Sequence, residues 1–102
     1  PALDIAAQLL AAGAQVVVHD PKAIENARKR FPNLGFTESI EECVTGADLI
    51  LHLTEWKQYR ELDPTAIKAL TKGTLIIDGR NALDRELWRA AGWKFHALGR
   101  TD

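Results

Sequence analysis

Thr74-Leu75-Ile76-Ile77-Asp78-Gly79-Arg80-Asn81 is a short apolar run that stops abruptly in a polar D-G-R-N turn. A run of this length, rich in β-branched residues and bounded by Gly, has the pattern of a strand buried in a parallel sheet. Open α/β sheets take ligands outside the carboxyl ends of their strands, which puts Arg80 where a phosphate or carboxylate would be held. A second run, Asp48-Leu49-Ile50-Leu51-His52-Leu53, ends in the same way, in Thr54-Glu55-Trp56. Two strands that both end in polar and aromatic groups predict one shared binding edge on a nucleotide- or anion-binding α/β module.

The rest of the chain alternates around these runs. Leu3, Ile5, Ala6, Leu9 and Leu10 form a helical stripe closed by Gly13, the residue suited to the position after a helix. Val16-Val17-Val18 predicts a buried strand over Gln15–His19. Asp20-Pro21 reads as an N-cap with proline at the first helical position, and the helix continues through Arg30. Phe36-Thr37 is a short strand. Ser39, with Glu42 three residues on, predicts a capping box for a helix through Val44. Asp63-Pro64 opens a helix over Thr65–Leu70, Asp84 opens another to about Ala91, and Trp93–Ala97 alternates like a half-exposed edge strand.

Strict alternation of this kind predicts an α/β fold with a doubly wound, Rossmann-like parallel sheet and right-handed crossovers. Such a sheet begins with a strand at its centre, whereas this sequence begins on a helix and contains no Met. The expectation is one partial domain over residues 1–102, excised from a longer protein and lacking its first, central strand. That strand would lie between Gln15–His19 and Asp48–Leu53.

Hydrophobic residues make up 46% and charged residues 26% of the chain, the proportions of an ordinary soluble domain. Thirteen basic and fourteen acidic side chains leave a net charge of -1, so no global field draws nucleic acid or an anionic membrane. No apolar stretch approaches the roughly 20 residues that span a bilayer. A single cysteine, Cys43, excludes an intrachain disulfide and a cysteine-based metal cluster and fits a cytoplasmic setting.

In order and spacing, Pro1-Ala2-Leu3-Asp4-Ile5-Ala6, Val16–Val18 with Asp20-Pro21, Gly46-Ala47-Asp48, Thr54-Glu55-Trp56, Asp78-Gly79-Arg80-Asn81 and Ala91-Gly92…Gly99-Arg100 resemble one family. It is the C-terminal, UDP-binding domain of the UDP-glucose/GDP-mannose dehydrogenases, and the T-E-W triplet is most like the UDP-glucose branch. The resemblance implies a two-domain oxidoreductase of nucleotide-sugar metabolism, supplying polysaccharide biosynthesis. In it an N-terminal Rossmann domain binds NAD, and a central helical part carries the catalytic cysteine and lysine. The C-terminal domain holds the UDP portion of the UDP-sugar. UDP-glucose is then oxidised twice to UDP-glucuronate, with two NAD reduced, in a homodimer or higher assembly. The family's phenylalanine-lysine motif, on the first strand and its loop, is not in this sequence. On this reading the fragment holds no cofactor of its own and is inactive alone.

Arg80 is the first candidate for substrate binding. A guanidinium makes bidentate contacts with phosphate, and the resemblance places a nucleotide-sugar contact here. Asp78 and Asn81 are read as supporting residues that shape the turn through local hydrogen bonds. Thr54, Glu55 and Trp56 are supporting candidates at the other strand end, through a carboxylate that orients Arg80 or caps the following helical turn, and an indole lining a pocket or seam. No catalytic residue and no metal site is expected. Asp20 stands where a dinucleotide fold places its ribose carboxylate, but no G-x-G-x-x-G turn accompanies it. Cys43 reads as a half-buried structural thiol, His52 as a satisfied core histidine, and Arg28-Lys29-Arg30 as a solvated helix end. Trp88 and Trp93 read as core or as packing against a partner domain.

Two rival readings differ in class or in substrate. A ligand-sensing or interaction module would share the alternation, but its receiver-like form needs an acidic cluster at strand ends. The same domain of a GDP-mannose or UDP-N-acetylmannosamine dehydrogenase would differ in the nucleotide sugar it selects.

Overall fold

A computed structural model of the chain describes residues 2–20, 24–54 and 56–97. They form an α/β fold whose paired strands are all parallel, arranged as two compact units, Pro1–Cys43 and Val44–Asp102.

In the first unit, helix α1 (Ala2–Ala11) ends in a left-handed glycine, Gly13, at φ 103°. The Gly13 N–H donates to the Leu10 carbonyl at 3.0 Å and the Ala14 N–H to the Leu9 carbonyl at 3.1 Å. That pair is the Schellman closure a C-terminal glycine permits. Strand β1 (Val17–His19) and strand β2 (Gly35–Thr37) pair in parallel, Val17 opposite Gly35 and His19 opposite Thr37. Helix α2 (Ile24–Arg30) connects them, and buries Ala27. Its last turn carries Arg28, Lys29 and Arg30, where cations complement the helix dipole.

Two expectations change here. The strand expected over Gln15–His19 is shorter, with Gln15 and Val16 preceding β1, and its Val17 is 49% exposed rather than buried. The capping box of helix α3 (Ile40–Val44) is half formed. The Glu42 N–H donates to Ser39 Oγ at 3.2 Å, but the Glu42 carboxylate accepts from the Thr37 hydroxyl at 3.0 Å, and Thr37 Oγ1 itself takes the Ser39 N–H at 3.1 Å. A nearer hydroxyl on β2 has displaced the reciprocal bond. The Asp20-Pro21 cap cannot be followed, since Pro21–Ala23 lie outside the described residues.

In the second unit, strands β3 (Leu49–His52), β4 (Leu75–Asp78) and β5 (Lys94–Ala97) form one ladder in that order. Two short helices, α4 (Lys57–Arg60) and α5 (Pro64–Lys68), lie between β3 and β4, and α6 (Arg85–Ala90) lies between β4 and β5. Helix α4 is the short helical turn expected to follow Thr54-Glu55-Trp56, and it buries Tyr59. Asp63 and Asp84 cap α5 and α6, accepting the N–H groups of Thr65 at 2.9 Å and Leu87 at 3.1 Å, as their positions predict. Gly73 has no substitute with a side chain: a Cβ there would land on the Asp48 carbonyl, where the loop before β4 passes close to the start of β3.

The core of this unit includes Val44, Tyr59, Ile67, Ile76, Trp88, Trp93, Phe95 and Ala97. The Trp88 and Trp93 rings meet edge to face, their centroids 5.3 Å apart, and the Trp93 indole N–H donates to the Pro64 carbonyl at 2.9 Å. Along β5 the side chains alternate, Lys94 and His96 outward, Phe95 and Ala97 inward. Among the described residues no helix is long and apolar enough to cross a membrane.

Candidate functional site

The site grows from the register of β3 on β4. Both strands are apolar for three residues and polar at the fourth, and the ladder sets Leu49 against Leu75 and His52 against Asp78. Paired residues point to the same face of a sheet, so the imidazole and the carboxylate meet. His52 Nδ1 lies 2.8 Å from Asp78 Oδ1, with His52 6% exposed and Asp78 0% exposed. Ala97, opposite Asp78 on β5, is small enough to leave room for the carboxylate.

Asp78 is saturated with donors. Its Oδ1 accepts the Arg80 N–H at 2.9 Å, and its Oδ2 accepts the N–H groups of Ala82 and Leu83, each at 2.9 Å. One buried carboxylate thus folds the whole Gly79–Leu83 loop over the end of its own strand. Asn81 sits at φ 57°, the left-handed conformation that asparagine tolerates better than most residues. The Gly79 N–H donates to the His52 carbonyl at 2.8 Å, tying this loop to the end of β3.

The electrostatics follow from these bonds. Burial by itself raises the Asp78 carboxyl, but the Leu83 N–H, the His52 ring and the Arg80 N–H outweigh it and leave the pKa below the ordinary value. An ionised carboxylate only accepts, so Nδ1 of His52 carries the proton on that side. Among the described residues His52 Nε2 is buried without a hydrogen-bond partner, and the ring meets Tyr59 edge to face at 5.6 Å.

The lowered Asp78 pKa has a measurable sign. Its contribution to stability is complete above about pH 4, where an unfolded aspartate is already ionised, and is lost as pH falls through the lower folded value. The urea midpoint is therefore expected to drop on the acid side of pH 4. Asp78→Asn, with no proton to gain, should show a shallower acid limb; an identical limb would assign the loss to other carboxylates.

Arg80 stands exposed at the carboxyl end of β4, its backbone fixed by Asp78. Of the residues expected to support it, Asp78 and Asn81 build its loop. Thr54 lies just past β3, and Trp56 is the extended residue before α4, its carbonyl accepting the Tyr59 N–H at 3.0 Å. Glu55, expected to orient Arg80 or cap α4, lies outside the described residues, as does the Gly99-Arg100 pair. Sequence reasoning passed over His52 as a core residue. The signal was present in the matched runs L-I-L-H and L-I-I-D, whose polar residues coincide once the strands are placed side by side.

Other candidates read as structural. Cys43 donates to the Val17 carbonyl at 3.5 Å, and burial pushes its thiol up against a smaller opposing effect of the His19 N–H, the reverse of an activated nucleophile. Among the described residues no group of three His, Cys, Asp or Glu side chains could hold a metal ion. A shallow depression in the first unit is lined by Arg28, Phe36, Thr37, Glu38, Ser39 and Glu42, but Thr37, Ser39 and Glu42 spend their polar atoms on the α3 cap.

Comparison with known proteins adds what geometry alone does not. The sequence model of the UDP-glucose/GDP-mannose dehydrogenase family, UDP binding domain, matches residues 1–85. A UDP-glucose 6-dehydrogenase of Rickettsia prowazekii (strain Madrid E) is 36% identical over 102 residues, 97% of this chain and 23% of that protein. The UDP-glucose 6-dehydrogenase of Rhizobium meliloti (strain 1021) is 33% identical over 102 residues, 100% of this chain and 23% of its own length. UDP-glucose 6-dehydrogenase TuaD of Bacillus subtilis (strain 168) is 36% identical over 101 residues, 98% of this chain and 22% of its own. The chain therefore spans less than a quarter of the curated relatives it matches.

Proposed function

The chain belongs to the UDP-glucose/GDP-mannose dehydrogenase family, as its UDP binding domain, and from that premise we propose that it holds the UDP portion of the substrate in an NAD-dependent UDP-glucose 6-dehydrogenase. In this reading residues 1–102 are a single, partial C-terminal domain. The parent enzyme oxidises UDP-glucose twice, to UDP-glucuronate, in the cytoplasm and as a homodimer or larger assembly. The relatives of which the chain covers under a quarter carry the name of that activity.

The observation that carries the proposal is the Asp78-built loop, which sets an exposed arginine at the carboxyl end of β4. A guanidinium there can form two parallel hydrogen bonds with a phosphate. Asn81 and Asp78 keep the loop in shape, and Thr54, Glu55 and Trp56 follow β3 in sequence. The chain's residues do not fit NAD: it has seven glycines, none arranged as G-x-G-x-x-G. NAD is assigned to the N-terminal domain of the parent chain, and this fragment alone is assigned no turnover.

The test is Arg80→Ala in the full-length enzyme. Loss of a charged hydrogen bond to phosphate, about 1.5–3 kcal/mol, should raise the KM for UDP-glucose roughly 10- to 100-fold while the protein stays folded by circular dichroism. An unchanged KM would remove Arg80 from the site. UDP displacing UDP-glucose better than GDP does would separate this reading from a GDP-mannose enzyme.

A further inference from the structure

His52 is a polar ring where the pattern of β3 calls for an apolar side chain. Its strand neighbours are Leu49, Ile50 and Leu51, and it is buried at 6% exposure. Placing an imidazole there costs desolvation of two nitrogens. The Asp78 bond offsets that cost at Nδ1 only, since Nε2 has no hydrogen-bond partner among the described residues. A leucine would fill the position with no orphaned atom, so core stability is a poor account of this residue.

Its contacts give a better one. The His52 carbonyl takes the Gly79 N–H at 2.8 Å, and the His52 ring holds Asp78 Oδ1 at 2.8 Å, the same oxygen that takes the Arg80 N–H at 2.9 Å. Replacing the ring by an apolar side chain leaves Oδ1 with the Arg80 N–H alone, so the carboxylate is held less firmly about its Cβ–Cγ bond. The point from which Arg80 departs then moves with it.

We propose that His52 is a positioning residue for Arg80, acting through the Asp78 carboxylate to fix the nucleotide-binding loop. The inference rests on the nucleotide reading of that loop given above. His52 touches no ligand on this account; it sets where the guanidinium begins.

The experiment is calorimetric titration of UDP into the full-length protein, as wild type, Arg80→Ala, His52→Leu, His52→Asn and the His52→Leu/Arg80→Ala double variant. His52→Leu is expected to weaken UDP binding roughly tenfold. His52→Asn should recover most of it, because its amide nitrogen can stand where Nδ1 stands. The double variant should bind no worse than Arg80→Ala alone. Unchanged affinity in His52→Leu, with Arg80→Ala weakened, overturns the role of His52 and leaves the nucleotide reading standing. Unchanged affinity in Arg80→Ala overturns that reading and the inference with it. The ring supplies a test that needs no variant: nitrogen NMR of the labelled histidine should show a proton on Nδ1, and a bare Nδ1 with the proton on Nε2 overturns the inference.

Discussion

Asp78→Ala is expected to lower the stability of this domain by roughly 3–5 kcal/mol, the cost of abandoning several buried polar partners at once. The carboxylate accepts from the backbone of Arg80, Ala82 and Leu83 and from the His52 ring, and alanine satisfies none of them. Each orphaned donor carries about 1–3 kcal/mol of desolvation, partly relieved because the loop can open to water. The His52 ring would then be buried with neither nitrogen bonded. Urea denaturation measures the loss. Asp78→Asn separates charge from shape: it keeps one acceptor oxygen and the side-chain volume, so it should lose less than alanine does. A loss under about 1 kcal/mol for Asp78→Ala would mean that water replaces the carboxylate at little cost, and the loop would then be held by its backbone alone.

The second large effect belongs to Trp93. Its indole is 4% exposed, packs edge to face on Trp88 at 5.3 Å and donates to the Pro64 carbonyl at 2.9 Å. It therefore joins the start of β5 to α6 and to the first turn of α5. Trp93→Ala should cost about 3–5 kcal/mol, the range for deleting a buried aromatic ring, and for a domain near 100 residues each 1 kcal/mol lowers the Tm by about 4–8 °C. Trp93→Phe retains the ring contact and loses the Pro64 bond, so it should fall in between. Equal melting points for Trp93→Phe and wild type would show that the Pro64 carbonyl finds another partner.

The strands and their turns were legible because each is marked by local chemistry. Leu75–Asp78 is bounded by Gly73 and Gly79, α1 by Gly13, and α5 and α6 by Asp63 and Asp84, each a residue whose preference comes from a backbone angle or an orphaned N–H. The family was legible from the spacing of several short motifs. What the sequence did not yield depended on which neighbours the folded chain brings together. Glu42 prefers the Thr37 hydroxyl to the Ser39 N–H only because β2 brings that hydroxyl close. Val17 looks like a core residue in any window, yet it is 49% exposed. The pairing of His52 with Asp78 needed the register of two strands 26 residues apart, which no local pattern states.

The alternation along β5 constrains how the chain can assemble. Phe95 and Ala97 face inward, Lys94 and His96 outward, and the Phe95 carbonyl is held by Arg89 of α6 at 2.8 Å. If β5 slid by one residue along β4, Phe95 would turn to solvent and the Lys94 ammonium would enter the space beneath α6. Exposing the ring forfeits roughly 1.5–3 kcal/mol, and burying an unpaired ammonium costs several more. The misaligned ladder would also break the Arg89 bond. Errors in threading this strand are thus rejected by the side chains themselves, and the ladder that carries Asp78 is set in one alignment before any ligand arrives.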